Sequence, residues 1–363
     1  MHNAAIVLHG PPRWRRAPGV PSFRRCAVMG RRPRVGANRA EWQALSCRPW
    51  RTSTGLSIPK ERSRRVCPTD PTDGRPRPRD RVARPAVPGP LGLLHPFPSG
   101  LNALAVATLT LVAGGTAATA GAAAVAMALL QTSIGCVNDL CDVEFDRLAH
   151  PGKPLPSGRV GRRTAIGYAI AAGVSGLVLS AVLGPLAAAI AAGGFAIGLL
   201  YDARLSRTPW SWLPFAIGLP LVPAFGWAAA RGELPAAFPE LIALGTLAGA
   251  ALAIANGLAD LDADATVGGG GLAFRLGRRA SFPLLVVLQT SLVLLAIGVV
   301  LDGRRSPSSI APLAVAVPVI VLGVVASRAT SAAARERGWE AQAVGVALLA
   351  IAWLIASQPG VLA

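Results

Sequence analysis

Residues 117–146 read AATAGAAAVAMALLQTSIGCVNDLCDVEFD. The first 22, through Asn138, carry no charge and are mostly small or aliphatic. That is close to the ~20 apolar residues that cross hydrocarbon as a helix. Four acids then arrive within eight residues: Asp139, Asp142, Glu144 and Asp146. Carboxylates at the rim of a bilayer are costly, so an apolar span ending in acid marks a helix tip with a task.

The rest of the chain has the same character. Of its 363 residues 52% are hydrophobic and 15% charged, against roughly a quarter charged in soluble domains. The mean hydropathy is +0.48. Nine apolar segments stand out, at about 97–115, 117–138, 163–183, 186–201, 211–230, 238–259, 280–301, 308–327 and 340–357. The fold expected is all-α, a polytopic membrane bundle of about nine transmembrane helices over residues 92–360. Ala and Gly abound, which lets membrane helices approach closely. Pro214, Pro220 and Pro223 predict a kink in the fifth segment.

Residues 1–90 differ. They hold 20 of the 36 Lys+Arg and 5 of the 18 Asp+Glu, a net +15, and no sustained hydrophobic period. A disordered, Arg/Pro-rich tail is expected there. It reads as a basic segment touching anionic lipid, as an Arg-rich transit peptide, or as residues upstream of the native start, the reading preferred here. No chemistry is placed in it, and no nucleic-acid partner is expected. The five cysteines form no CxxC pair, so neither a zinc site nor a disulfide framework is expected.

With a cytoplasmic N-terminus, the loops after segments two, four, six and eight hold thirteen Lys and Arg, and the opposite loops hold Arg231, Arg304 and Arg305. Positive charge marks the cytoplasmic side, so the expected location is the plasma membrane with the acid-bearing loops cytoplasmic. The acids recur there. Segment six ends in NGLADLDAD, residues 256–264, and both runs read Asn-x3-Asp-x3-Asp, 118 residues apart. A spacing of four keeps Asn138, Asp142 and Asp146 on one helical stripe, and Asn256, Asp260 and Asp264 on another. Asp139, Glu144 and Asp262 fall off the stripes. Like charges at i and i+4 repel, and a divalent cation relieves that cost. Mg2+ takes hard oxygens, commonly one or two carboxylates plus substrate phosphates. A Mg2+-bridged diphosphate on a lipid-like tail would suit both the acids and the greasy helices.

The run Asn138–Gly158 (NDLCDVEFDRLAHPGKPLPSG) resembles the first signature of the UbiA superfamily of intramembrane prenyltransferases, NDxxDxxxD followed by a basic-Pro-Leu-Pro-Ser-Gly turn. The run Asn256–Gly277 is similar to the family's second, DxxxD signature. The resemblance implies nine helices with acid motifs after helices two and six, and a Mg2+ cofactor. It implies Mg2+ binding by Asn138, Asp139, Asp142, Asp146, Asp260 and Asp264, with Asp142, Asp146, Asp260 and Asp264 as catalytic acids. Asn138, Asn256, Lys153, Tyr201 and Arg207 would contact the donor diphosphate. Tyr201 opens YDARLSRT, similar to the family's Tyr-containing loop, but Ser206 stands where a Lys is usual, and Arg207 or Arg204 would substitute. Gly257 stands where many members have Asp. Gly268–Gly271 replace basic residues, reading as a flexible connector or as backbone N–H groups near phosphate.

The implied reaction ionises an allylic polyprenyl diphosphate, and an aromatic or lipid acceptor captures the cation. Phe145, Phe195, Phe215 and Trp227 are candidate faces for that cation, although core or lipid packing accounts for each more simply. Phosphoribosyl transfer to polyprenyl phosphate on the same fold is one alternative. A cation transporter or non-catalytic lipid-binding relative is another; transporter acids belong near the midplane, and these sit at helix ends. A CDP-alcohol phosphotransferase would need a DGxxAR run, which the chain lacks.

Overall fold

Thr116 opens the helix that carries the first acidic run: its hydroxyl accepts from the Thr119 N–H at 3.1 Å, satisfying one of the free donors of the first turn. The computed structural model describes residues 92–234, 236–302 and 307–357; the tail expected over 1–90 lies outside the described residues. In chain order the helices are α1 Pro96–Val112, α2 Ala117–Cys141, α3 Val143–Ala149, α4 Arg162–Val182, α5 Pro185–Leu200, α6 Leu213–Gly218, α7 Leu221–Arg231, α8 Phe238–Val267, α9 Leu272–Asp302, α10 Pro307–Ala326 and α11 Ala332–Ser357. A π-helical turn, Tyr201–Leu205, continues α5. Among the described residues the regular structure is entirely helical.

Among the described residues eight spans are long and apolar enough to cross a membrane, α6 and α7 counting together as one. The first of the nine expected segments forms α1, 17 residues long and apolar but shorter than the others. The proline-rich segment does break, between Gly218 and Leu221. The bundle closes on itself because α1 packs against both α2 and α11, while α2 packs on α4, α8 on α9 and α10 on α11. Small residues permit this. A Cβ on Gly249 would collide with the Phe215 carbonyl, so only glycine lets α8 lie on α6. Gly323 and Gly338 face each other between α10 and α11, where an added Cβ on either would sit 2.6–2.8 Å from the other's carbonyl oxygen.

The outside is apolar. Ile170, Val174, Val178 and Val182 form one exposed stripe on α4. Water would make that stripe costly, and a bilayer makes it neutral. The inside contains an apolar cleft, lined among others by Leu109, Leu219, Leu244, Leu252 and Trp353.

Three segment boundaries moved. Helix α8 runs to Val267, capped by Gly268 at φ 72°, so the second acidic run lies inside the helix and not beyond its end. Helix α9 begins at Leu272 and kinks at Gly277, φ 70°, a left-handed value that glycine alone adopts cheaply. Helix α11 begins at Ala332, which takes Arg335 out of the loop and buries it completely.

Candidate active site

The first acidic run is bent. Asp142 caps α2 with φ −96° and ψ 6°, and Asp146 sits on the separate helix α3. Backbone bonds bridge the break, Asp142 N–H to Asn138 O at 2.9 Å and Asp146 N–H to Asp142 O at 2.7 Å. The i, i+4 stripe therefore survives a change of helix. Helix α3 packs against α8, and this contact brings the two runs together.

Lys153 is the hub of the first run. Its ammonium donates to Asp139 Oδ1 at 3.1 Å and to Asp146 Oδ2 at 2.9 Å. The Pro-rich turn after α3 places it there. Both carboxylates are almost fully buried. His150 Nδ1 lies 3.1 Å from Asp146 Oδ1, and His95 Nε2 lies 3.3 Å from Asp139 Oδ2. Burial disfavours the Asp146 carboxylate, but the hydrogen bonds from His150 and Lys153 outweigh it and hold its pKa below the usual value. Burial likewise pulls the Lys153 ammonium down, and the Asp139 charge with the Asp146 hydrogen bond more than reverses that, raising its pKa. Asp142 receives Arg207 at 2.8 Å; burial still prevails, and its pKa is raised. The Arg207 guanidinium also lies 4.0 Å above the Phe145 ring, a cation–π contact that fixes its plane.

The second run faces the same space. Asn256 donates to Asp260 Oδ2 at 3.4 Å. Asp260 lies within electrostatic reach of His150 and Lys153, and Asp264 within reach of Asp260, Arg207 and Asp142. Tyr201 lies within electrostatic reach of Asp142, Asp202, Asp260 and Asp264, and its ring meets Phe215 edge-on at 5.3 Å. Asp260 keeps more than a third of its surface accessible while protein encloses it on most sides, as befits a wall of an open hollow. Three helices, α2, α5 and α8, direct their C-terminal ends at this hollow. Helix C-termini carry partial negative charge, so the backbone adds to the acids.

The glycine run is open at Gly268 and Gly269 and packed at Gly270 and Gly271. Gly270 lies so close to Asp264 that a Cβ would overlap its carboxylate, and Ser211 Oγ accepts from Leu272 N–H at 2.9 Å. Of the residues off the stripes, Glu144 makes an exposed pair with Arg147 at 2.7 Å, and Asp262 is drawn to Arg335 at 2.7 Å. Arg204 is exposed, whereas Arg207 reaches the acids. Phe145 and Phe215 border the site, while Phe195 packs against Gly173 of α4 and Trp227 is buried in the core.

Three polar residues at the hollow were not anticipated. Asp202 is 6% exposed and accepts from Asn138 Nδ2 at 3.1 Å. An acid beside Tyr201 at a helix end was a readable signal. His95 gave none, since tertiary contact alone brings it to Asp139, whereas His150 stands four residues after Asp146, a local spacing that was there to be read.

No three His, Cys, Asp or Glu side chains among the described residues enclose a metal ion by themselves. The donors are nevertheless all hard oxygens, and Asp202 Oδ2 is buried with no hydrogen-bond partner. Mg2+ seldom relies on an all-protein cage and normally shares its shell with substrate phosphates, so this donor set fits it.

A family model described as the UbiA prenyltransferase family matches residues 100–343. A digeranylgeranylglyceryl phosphate synthase of Methanopyrus kandleri is 30% identical over 219 residues, 59% of this chain and 79% of that protein. The enzyme of the same name from Methanoregula boonei is 32% identical over 200 residues, 53% and 70% of the two chains. Among solved structures, a UbiA homolog from Aeropyrum pernix K1 without ligand superposes with a TM-score of 0.58 at 21% identity, covering 69% of this chain and 94% of its own. A UbiA homolog from Archaeoglobus fulgidus bound to GPP and Mg2+ gives 0.56 at 20% identity, covering 72% and 98%. These two likenesses carry the fold.

Proposed function

Because this chain belongs to the UbiA prenyltransferase family and is an integral-membrane enzyme of prenyl transfer, we propose that its donor is an allylic polyprenyl diphosphate held with Mg2+ at the hollow between α2 and α8. The observation that carries this reading is that α8 bears both halves of the site in succession. Leu241, Leu244, Ala248 and Leu252 line the apolar cleft, and Asn256 and Asp260 follow within the next two turns, on the ridge of i, i+4 residues that continues from Leu252 and winds round the helix to Asp264. A diphosphate at the acids places its tail in the cleft.

Asp142, Asp146, Asp260 and Asp264, with Asn138 and Asp139, are the residues proposed to hold Mg2+. When bound, the metal offsets charge on the departing diphosphate. Lys153 and Arg207 present N–H donors to phosphate oxygens, with Asn256 and Tyr201 beside them. The allylic C–O bond breaks with its electron pair on the diphosphate, the acceptor's hydroxyl oxygen forms the new bond to the allylic carbon, and the hydroxyl proton leaves with the diphosphate. The apolar lining excludes water that would capture the cation first.

The acceptor is proposed to be a lipid of the polyprenylglyceryl phosphate class, on the strength of what the two similar synthases are named for. The site is proposed to open to the cytoplasmic face of the plasma membrane. Burial of Arg335 removes one residue from the thirteen-to-three charge bias and leaves its direction unchanged. The test uses purified protein with labelled prenyl diphosphates, Mg2+ or EDTA, and geranylgeranylglyceryl phosphate, hydroxybenzoate or polyprenyl phosphate as acceptor. Mg2+-dependent product with the glyceryl phosphate is expected. Product only with an aromatic acceptor refutes the acceptor assignment, and no prenyl transfer in any arm refutes the site.

A further inference from the structure

Asp202 makes no ion pair among the described residues. Lys153 answers Asp139 and Asp146, and Arg207 answers Asp142. Asp202 receives only the neutral amide of Asn138, on Oδ1. Its other oxygen, Oδ2, is buried without any hydrogen-bond partner. An isolated buried carboxylate is costly, and this one sits at the C-terminal end of α5, where the helix dipole is also negative. Asp142, Asp139 and His95 lie within electrostatic reach of it as well. Around the hollow are six carboxylates (Asp139, Asp142, Asp146, Asp202, Asp260 and Asp264), of which Lys153 and Arg207 pair with three, while Arg335 acts on Asp260 from further off. The segment that carries Asp202 is a π-helical turn, a distortion frequent at functional sites.

The Asn138 amide settles its own orientation. An ionised carboxylate accepts but cannot donate, so with Asp202 ionised the Asn138 nitrogen faces it and the Asn138 oxygen points away. Asp202 thereby holds a neighbouring ligand in one attitude, as outer partners of metal ligands do, while keeping one oxygen free.

We propose that Asp202 is itself a divalent-cation ligand, contributing Oδ2 from the π-turn after α5 to an ion shared with the acidic ends of α2 and α8. This inference rests on the Mg2+ reading above but adds a donor outside both acidic runs. It makes the site three-sided, drawing on α2, α5 and α8. An ion there neutralises the one buried carboxylate that the protein leaves unanswered.

The experiment uses the full chain in nanodiscs, with Mn2+ as the spin-visible probe and inorganic pyrophosphate present. Asp202→Asn is expected to bind Mn2+ at least about tenfold more weakly, within the 10–100-fold range typical of ligand and outer-partner losses, and Asp202→Glu to recover most of it. Wild-type affinity in Asp202→Asn overturns the inference. A second measurement needs no variant. Fe2+ loaded in place of Mg2+ and treated with peroxide is expected to cut the backbone near 138–146, 260–264 and 200–204. Cuts at the first two without the third overturn the role of Asp202 alone. Absence of cuts at the first two, or normal Mn2+ binding by Asp142→Asn, overturns the metal site itself.

Discussion

Arg335 is the most consequential residue outside the hollow, and replacing it by lysine measures how firmly the second acidic run is held. The side chain is 0% exposed and spends all five of its N–H groups. Nε donates to Leu258 O at 2.8 Å, one terminal nitrogen to Ala329 O at 3.1 Å and Thr330 O at 2.8 Å, and the other to Ala259 O at 3.4 Å and Asp262 Oδ2 at 2.7 Å. These bonds tie α11 and the turn before it to α8 between Leu258 and Asp262, within the second acidic run. Lysine has three donors, so at least two acceptors lose their partner. At about 1.5 kcal/mol or more for each bond to a charged group, Arg335→Lys costs about 3 kcal/mol. Asp262 is 63% exposed, so its ion pair contributes little and Asp262→Asn costs under about 1 kcal/mol. Reversible unfolding in mixed detergent micelles, followed by near-UV circular dichroism, compares the two variants with the parent. A loss below about 1 kcal/mol for Arg335→Lys, or equal losses for both variants, would refute the claim that backbone carbonyls carry the interaction.

Asp142→Asn and Asp260→Asn each abolish prenyl transfer while membrane insertion and the melting profile persist; normal turnover in both rules out the hollow. Asp146 has a folded pKa below its unfolded value, so its stabilisation is present above the ordinary carboxylate pKa of about 3.9 and is lost as pH falls through the depressed folded value. Asp146→Asn therefore flattens the acid limb of a stability–pH curve below about pH 4, and an unchanged limb contradicts the pairing with His150 and Lys153. Removing residues 1–85 leaves transfer unchanged in the same assay, because every proposed site residue lies between Asn138 and Asp264; loss of activity overturns that placement. Gly249→Leu forces α6 off α8 and is expected to lower the melting temperature sharply, whereas the same change at Gly193, where nothing crowds an added Cβ, has little effect.

The membrane bundle was legible because hydrophobic length is a strong signal. The acids were legible because carboxylates at such helix tips have few ordinary explanations. The boundaries were less so. Apolar character stops near Ala259, but the α8 backbone continues to Gly268, since polar residues extend a helix once tertiary contacts such as Arg335 support it. Arg335 itself counted as a loop charge because sequence position cannot reveal burial. Asp139 shows the limit most clearly. It is placed among the metal ligands by resemblance, yet here its carboxylate turns to Lys153 and His95, contacts between residues 14 and 44 positions apart that no local pattern encodes.

That geometry bears on how the site stays folded before it is loaded. Three helix C-termini and six carboxylates converge in a low-dielectric setting, which opposes folding. Lys153 offsets part of the cost by bridging Asp139 and Asp146, and Arg207 does the same at Asp142. The protein's own cations thus hold the first run in place without any metal. The second run has no such bridge: Asp260 meets only the Asn256 amide, and Asp264 rests against the Gly270 backbone. The α2 side is therefore the preformed half of the site and the α8 side the half that a cation completes, which is why loss of Arg335, the clamp on α8, should weaken metal binding more than its distance from the hollow implies.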